Sequence, residues 1–243
     1  MQDPIKILGV PVHAMTMQEA VKTLEERMLA KEQTFVVTAN AEIIMMCQEN
    51  AEYKKIICED AELVLPDGAG AVWAGRHLGY KVPERVAGFD LYNELLDLSA
   101  HKGYKAYFFG GSPGVAEAAK AKAEELYPGV KVVGCHNGYF KDEDVPQIIA
   151  DINASGADML FVALGAPKQE KWMAAHQGKI NGLMLGVGAG FDYYAENIKR
   201  APMWMQKSNL EWLYRLMQDP KRLFKRYLNT NTKFIWNAMI RGK

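Results

Sequence analysis

The sequence predicts an α/β protein with a mostly parallel, Rossmann-like sheet flanked by helices, followed by a basic, amphipathic, helical C-terminal appendage. Short apolar runs rich in β-branched and aromatic residues alternate with segments of helical periodicity up to about residue 194. Beyond that point no strand pattern follows, and two amphipathic helical segments are separated by Pro220. We therefore predict a core over residues 1–198 and an appendage over residues 199–243.

The apolar runs predict seven strands. In chain order these are Ile5–Leu8, Phe35–Thr38, Leu63–Leu65, Lys105–Phe109, Lys131–Gly134, Met159–Leu164 and Leu183–Val187. Because helical segments separate most of them, the strands are expected to run parallel. Sheets of this type bind ligands in the loops that follow the carboxyl ends of their strands.

Two helix starts carry recognisable signals. Thr16 and Glu19, three residues apart, predict a capping box at the first helix. Ser112 and Pro113 predict an N-cap and a first-turn proline for the helix Val115–Leu126.

Several strand ends carry polar side chains that are suited to chemistry. Thr38 and Asn40 finish the second predicted strand, and Asp67 follows the third. Asp67 is either a general base whose pKa is raised by partial burial or a cap for the helix 69–79. Arg85, in a polar loop, is either a surface arginine or a phosphate clamp.

Three glycine turns follow predicted strands, within Phe108–Gly114, Leu164–Glu170 and Gly186–Asp192. A glycine turn before a helix offers backbone N–H groups to a phosphate, although glycines also occur at such turns for steric reasons alone. Three such turns on one sheet favour a ligand that carries a diphosphate.

Metal and redox chemistry receive little support. Asp142-Glu-Asp144 matches an acidic metal motif, but it opens the helix Val145–Asn153 and is better explained as that helix's N-terminal turn. The five histidines have no metal-ligand spacing, and the three cysteines lack disulfide or CxxC spacing. The GxGxxG dinucleotide fingerprint is absent, which disfavours a nicotinamide-dependent oxidoreductase. We predict that the protein needs neither a metal nor a cofactor.

Charge is distributed unevenly. Residues 199–243 hold 11 Lys/Arg and 2 acidic residues, a net charge of +9, and the remaining 18 basic and 27 acidic residues give −9. A basic segment that also contains aromatic residues predicts an anionic partner, and we favour a membrane surface over nucleic acid because no nucleic-acid-binding motif accompanies it. Simple packing of this segment on the core is the alternative.

The segment also has an apolar face that includes Leu213 and Met217. This face could instead be buried against a second copy of the chain. Neither a signal peptide nor a spanning segment is predicted, so a peripheral position on the cytoplasmic face of the membrane is expected.

Together these motifs resemble the WecG/TagA/CpsF glycosyltransferases over nearly the whole chain. The matching segments include Phe35–Asn40, Pro66–Gly68, Arg85–Gly88, Phe108–Gly111, Gly138–Phe140, Leu164–Glu170, Gly186–Asp192, Arg200–Trp204, Leu210–Leu213 and Pro220–Leu223. The resemblance implies a metal-independent, inverting transfer of N-acetylmannosamine from a UDP donor to the 4-hydroxyl of polyprenyl-diphosphate-linked N-acetylglucosamine, in synthesis of the wall teichoic acid linkage unit. Transfer of N-acetylmannosaminuronate by a related enzyme, or a non-enzymatic nucleic-acid adaptor, remains open.

The resemblance also implies residue roles. Asp67 matches the general base, and Thr38, Asn40, Arg85 and Gln169 match polar residues that position sugar or diphosphate. The residues predicted to bind the nucleotide sugar are Gly110, Gly111, Ser112, Tyr139, Gly165, Pro167 and Asp192. The cations predicted to meet the membrane or the diphosphate are Arg215, Arg222, Lys225 and Arg226.

Overall fold

A six-stranded, wholly parallel sheet lies at the centre of the protein. The computed structural model describes residues 3–208 and 210–241, except for the side chains of residues 207, 222, 226 and 241. The sheet strands are β3 (Thr34–Ala39), β4 (Leu63–Pro66), β5 (Lys105–Gly110), β6 (Lys131–His136), β7 (Met159–Ala163) and β8 (Leu183–Gly186). Their spatial order is β4-β3-β8-β7-β5-β6, which confirms the predicted α/β class.

The first predicted strand lies outside this sheet. Ile5–Ile7 (β1) pairs antiparallel with Val10–Val12 (β2), a strand that the sequence analysis did not predict. The two strands are only three residues long, and Pro11 inside β2 obscures its strand pattern.

Helices cover both faces of the sheet. They are α1 (Met17–Leu29), α2 (Ala41–Glu49), α3 (Ala51–Lys55), α4 (Gly68–His77), α5 (Gly88–Lys102), α6 (Val115–Leu126), α7 (Val145–Ala154), α8 (Lys168–His176), α9 (Gly190–Tyr194), α10 (Met203–Lys207), α11 (Glu211–Gln218) and α12 (Pro220–Arg241). A π-helical turn, Ile56–Asp60, continues α3, and a 3₁₀ turn, Asp142–Asp144, precedes α7.

Alternation along the strands divides the core into two layers. Phe109 and Val162 point to the layer that includes α2, α8 and α12, whereas Phe108 and Phe161 point to the layer that includes α1, α5 and α6. All four side chains are fully buried. Both faces of the sheet are therefore apolar, as expected of parallel strands.

One predicted helix start is confirmed and one is wrong. Thr16 Oγ1 accepts the Glu19 N–H at 3.2 Å while Glu19 Oε2 accepts the Thr16 N–H at 2.7 Å, which completes the capping box. Ser112 does not cap α6 with its side chain. Gly114, with φ of 86°, immediately precedes the helix, so Ser112 lies too far back and contributes only its carbonyl, which accepts the Val115 N–H at 3.0 Å.

The acidic motif at residues 142–144 is a helix start, as predicted. It forms the 3₁₀ turn that leads into α7, and Asp144 Oδ2 accepts the Lys141 N–H at 2.9 Å. In the described part of the chain, no three His, Cys, Asp or Glu side chains form a group that could hold a metal ion.

The appendage is helical and packs on the core. One side of α12 lies against α2 and α4, with Leu223, Phe234 and Ala238 buried. The Phe234 ring approaches Gly70 so closely that a Cβ there would lie 3.5 Å from a ring carbon. Within residues 3–208 and 210–241, no helix combines the length and hydropathy needed to span a bilayer. The domain boundary at residue 198 remains a prediction.

Candidate active site

Most sequence-predicted site residues outside the appendage lie in the last residues of a parallel strand, in the loop that follows it or in the first turn of the next helix, and Arg85 lies in the loop between α4 and α5. Along the sheet edge, Asp67 follows β4, Asn40 follows β3, Gly188 follows β8, Gly165 follows β7 and Gly111 follows β5. Four strand spacings separate β4 from β5, which is about 19 Å between their backbones. A ligand that reaches both Asp67 and the β5 turn must therefore lie lengthwise along this edge.

Asp67 does not cap the helix that it precedes. Its side chain makes no hydrogen bond to the first turn of α4; instead Asp67 Oδ2 accepts the Gly88 N–H at 3.5 Å, a long contact. The carboxyl remains partly accessible although protein atoms surround it densely. This geometry excludes the interpretation of Asp67 as a side-chain cap, and its role as a general base remains a prediction.

The surroundings of Asp67 set its proton affinity. Burial raises the pKa of the Asp67 carboxyl to about 6; Arg85 and the Gly88 N–H oppose the rise, Glu211 adds to it, and Arg215 opposes it. A carboxyl with such a pKa is ionised above pH 6 yet remains more basic than an ordinary aspartate, as a general base requires.

Thr38 lies beside this carboxyl. In the register of the parallel strands Thr38 faces Leu65, two residues before Asp67. A Cβ at Gly88 would lie 2.6 Å from Thr38 Oγ1, so only glycine lets the start of α5 approach Thr38 and Asp67 this closely. Gly88 was not among the predicted site residues, although it ends the Arg-Val-Ala-Gly motif.

Asn40 is the N-cap of α2. Its Oδ1 accepts the backbone N–H groups of Glu42 at 2.9 Å and Ile43 at 3.0 Å. Gly68, next to Asp67, is close enough that an added Cβ would lie 3.8 Å from the Asn40 Cβ. Asn40 therefore holds the β3–α2 turn in place beside Asp67.

Arg85 joins the core to the appendage. Its loop is fixed by the Val86 N–H, which donates to Pro66 O at 2.9 Å. The guanidinium pairs with Glu211 of α11 at 3.3 Å and with Asp90 of α5 at 3.5 Å. Its side chain is only 17 % exposed, so the interpretation of Arg85 as an ordinary surface arginine does not hold.

Arg215 approaches the same carboxyl from α11. Its guanidinium carbon lies 5.5 Å from the centre of the Tyr193 ring, and its charge opposes the raised pKa of Asp67, for which burial is the main cause. Among the other predicted cations, Lys225 is exposed on α12. The side chains of Arg222 and Arg226 lie outside the described residues.

The Gln169 side chain makes two hydrogen bonds within the protein. It is buried, its Oε1 accepts the Gly188 N–H at 3.1 Å, and its Nε2 donates to Glu170 Oε1 at 2.8 Å. Burial raises the pKa of Glu170. These contacts fix the glycine turn after β8 against the start of α8.

The glycine turn after β5 has a largely steric origin. At Gly110, with φ of 128°, a Cβ would lie 2.4 Å from Ala163 O. The Gly111 N–H donates to that same carbonyl at 2.9 Å and is not free for a phosphate. Ser112 is exposed.

The remaining predicted nucleotide-sugar residues lie along or beyond the same edge. Gly165 has open space where a Cβ would project, and Pro167 immediately precedes α8. Asp192 accepts a hydrogen bond from Asn197 Nδ2 at 3.1 Å. Tyr139 is 73 % exposed.

Four helices that start along this edge lack side-chain caps. In the described residues, α4, α6, α8 and α9 begin without a capping side chain, whereas α2, which starts at the same edge, is capped by Asn40. An uncapped first turn leaves N–H groups and the positive end of the helix dipole available to an anion.

A groove of about 670 Å³ runs along α4 and reaches Arg85. Trp73 and His77 stack on its α4 side with ring centroids 5.1 Å apart. Arg76 holds the opposite loop by donating to Val82 O and Pro83 O, each at 3.0 Å. The groove ends at Arg85 and offers an aromatic surface to a ligand.

A parallel α/β sheet whose carboxyl edge combines a half-buried carboxylate, arginines and uncapped helix starts is typical of enzymes that bind phosphate-bearing substrates. The chain belongs to the glycosyl transferase WecG/TagA/CpsF family, whose model matches residues 5–243. The resemblance predicted from the motifs is thereby confirmed.

Proteins from Bacillus and Staphylococcus are similar to most of the chain. Proteins from Bacillus spizizenii and Bacillus subtilis strain 168 are 35 % and 33 % identical to this chain over 189 and 195 residues. These matches cover 77 % and 80 % of this chain and 72 % and 75 % of the relatives. A Staphylococcus aureus protein is 32 % identical over 223 residues, covering 90 % of this chain and 86 % of the relative. All three are named N-acetylglucosaminyldiphosphoundecaprenol N-acetyl-beta-D-mannosaminyltransferase.

Proposed function

We propose that this glycosyltransferase moves N-acetylmannosamine from UDP to the 4-hydroxyl of N-acetylglucosaminyl-diphosphoundecaprenol, with inversion, in synthesis of the wall teichoic acid linkage unit. The observation that carries the proposal is the Asp67 carboxyl at the carboxyl edge of the sheet, with a pKa raised to about 6 by burial and with arginines beside it. The names of the three relatives support the choice of sugar and acceptor.

In the proposed reaction Asp67 accepts the proton of the acceptor hydroxyl as its oxygen attacks the anomeric carbon. The bond between that carbon and the diphosphate oxygen breaks, its electron pair leaves with UDP, and the attack from the opposite side inverts the configuration. Arg85 and Arg215, which both act electrostatically on Asp67, are proposed to stabilise the departing diphosphate.

Donor and acceptor are proposed to approach Asp67 from different directions. The donor lies along the edge formed by β8, β7 and β5, where uncapped helices meet the diphosphate. Gln169 and Asn40 hold the turns that shape this edge. The acceptor sugar lies in the groove along α4, against Trp73.

A donor screen tests the function. We expect UDP release from UDP-N-acetylmannosamine only when a short-chain lipid-linked N-acetylglucosamine is present, and we expect the rate to survive EDTA. Release with UDP-N-acetylmannosaminuronate in preference would redirect the proposal to the uronate transferase. Salt-dependent nucleic-acid binding without any UDP-sugar turnover would contradict the enzymatic proposal altogether.

We further propose that the appendage attaches the enzyme to the inner face of the cell membrane. Ten of the sixteen exposed large apolar side chains in the described residues belong to the appendage, six of them on α12. The six are Phe224, Leu228, Ile235, Trp236, Met239 and Ile240, each at least 46 % exposed. Lysines such as Lys225 accompany them, so this surface suits an anionic leaflet.

Replacing Leu228 by Ser is expected to weaken sedimentation with anionic phospholipid vesicles by about tenfold or more, because one leucine transferred from water to lipid contributes about 1.5–3 kcal/mol. Leu126→Ser is the matched control, since Leu126 is 49 % exposed on α6, away from the appendage. Equal vesicle binding by Leu228→Ser and Leu126→Ser would show that α12 does not meet the bilayer.

A further inference from the structure

Four charged side chains close a ring between the core and the appendage. Glu211 of α11 contacts Arg85 at 3.3 Å and Arg200 at 3.5 Å. Asp90 of α5 contacts the same two arginines, with Arg85 at 3.5 Å and a short pair to Arg200. Each carboxylate thus bridges both guanidinium groups, and no member of the ring exposes more than 34 % of its side chain.

The ring differs from an ordinary surface ion pair. Arg200 also lies 4.8 Å from the centre of the Phe89 ring, which restricts its movement. Bridging contacts between half-buried charges restrict geometry more than isolated exposed pairs do, because breaking one pair leaves its partners poorly solvated. The ring therefore fixes where α11 rests on the loop that carries Arg85 and on the start of α5.

Glu211 is the acid through which the appendage enters this ring. Residues 199–243 contain 11 basic residues and only 2 acidic residues, and Glu211 is one of these two acids. Arg215 lies one helical turn further along α11, on the side of Tyr193. Because Glu211 and Arg215 lie on the same helix, holding Glu211 in the ring also holds Arg215 in position relative to Asp67. The same contact orients the Arg85 side chain.

We propose that Glu211 is a positioning residue of the transferase: by binding Arg85 and Arg200 together, it docks α11 so that Arg85 and Arg215 face the reacting groups beside Asp67. This inference rests on the proposed function. It assigns Glu211 no contact with substrate and no part in proton transfer.

The test is the variant Glu211→Gln in the full chain. We expect kcat/KM for the lipid-linked acceptor to fall by about 10- to 100-fold, the size of effect that a displaced site residue produces. Arg85 and Arg215 hold the pKa of Asp67 down and Glu211 holds it up, with Arg85 the strongest of the three, so displacing both arginines along with the Glu211 charge should move the acid limb of the pH–rate profile to higher pH. Loss of the Glu211 charge without displacement of the arginines would move the limb to lower pH. A role confined to stability would not move that limb.

Glu49→Gln is the matched control. Glu49 pairs with Lys233 of α12 at 2.9 Å, another contact between core and appendage, and both side chains are more than half exposed. This variant should keep both the rate and the acid limb. Glu211→Asp, which restores the charge, should return the limb towards the wild-type pH even if part of the rate is lost.

A wild-type rate and an unmoved acid limb in Glu211→Gln would overturn the inference. If Glu49→Gln lowered kcat/KM as much as Glu211→Gln does, the inference would also be overturned, because the loss would then not be specific to the ring. Titration of the Asp67 carboxyl by ¹³C NMR in folded wild type and Glu211→Gln needs no substrate. A higher Asp67 pKa in the variant supports the positioning role of Glu211 even if the lipid-linked acceptor is not turned over, and an unchanged or lower pKa contradicts it.

Discussion

Replacing Asp67 by Asn is expected to lower kcat by about 10²- to 10⁴-fold, the contribution that a general base makes to proton transfer. The amide is nearly the same size as the carboxylate but cannot accept the proton of the attacking hydroxyl. Assaying acceptor-dependent UDP release at saturating donor and acceptor separates this loss from weaker binding, because only kcat should fall strongly.

The same residue predicts a pH dependence. The reaction needs the ionised carboxylate, and burial raises the Asp67 pKa to about 6, so the wild-type rate should climb as pH rises through 6 and then level off. In Asp67→Asn this limb should disappear from the residual rate.

The thermal stability of Asp67→Asn shows whether a loss of rate comes from lost chemistry or from a lost fold. The Asp67 pKa in the folded protein exceeds its ordinary value of 3.8, so the carboxyl favours folding when protonated and that contribution is lost as pH rises through about 6. Asp67→Asn should therefore unfold at no lower temperature than wild type at pH 8. Asp142→Asn, in the acidic turn before α7, is the control and should leave the rate unchanged. A fast Asp67→Asn enzyme would remove the general base from the mechanism.

The largest expected effect on stability is that of Phe234→Ala in α12. Phe234 is 1 % exposed and belongs to the same apolar layer as Phe109 and Val162. Truncation of a buried phenylalanine removes apolar contacts and leaves a cavity, so the free energy of unfolding should fall by about 3–5 kcal/mol.

Trp236→Ala is the control on the same helix. Trp236 is 66 % exposed, so its truncation should change the free energy of unfolding by no more than about 0.5 kcal/mol while weakening vesicle binding. Urea unfolding of the two variants gives the comparison. Equal destabilisation by both would contradict the packing of α12 on α2 and α4.

The position of Asp67 at the sheet edge could be predicted because it depends on local signals and one topological rule. An apolar run followed by Pro-Asp-Gly marks a strand end, and parallel strands bring their carboxyl ends to one edge. The residues that surround Asp67 could not be predicted in this way. Arg85 and Glu211 are 126 residues apart, and no periodicity or spacing encodes their contact.

Local competition explains the other differences. Asn40 was predicted as a pocket residue, and the structure adds that its Oδ1 accepts two backbone N–H groups of the helix that it caps. Serine is a common N-cap residue, but Ser112 lies two residues before the N-cap position of α6, which Gly114 occupies. The available clue to Glu211 was its place as one of two acids in a strongly basic segment, since a carboxylate there has many cations to bind.

Helix α12, at the end of the described chain, packs against α2 and α4, which lie near its beginning. This arrangement has a consequence for the order in which parts of the enzyme are synthesised. All six strands of the parallel sheet fall within residues 34–186, whereas the partner of α2 and α4 begins at residue 220. During translation all six strands are therefore synthesised before Glu211 and Arg215. By the proposed mechanism, transfer requires the arginine and the positioning acid that are made after the sheet strands.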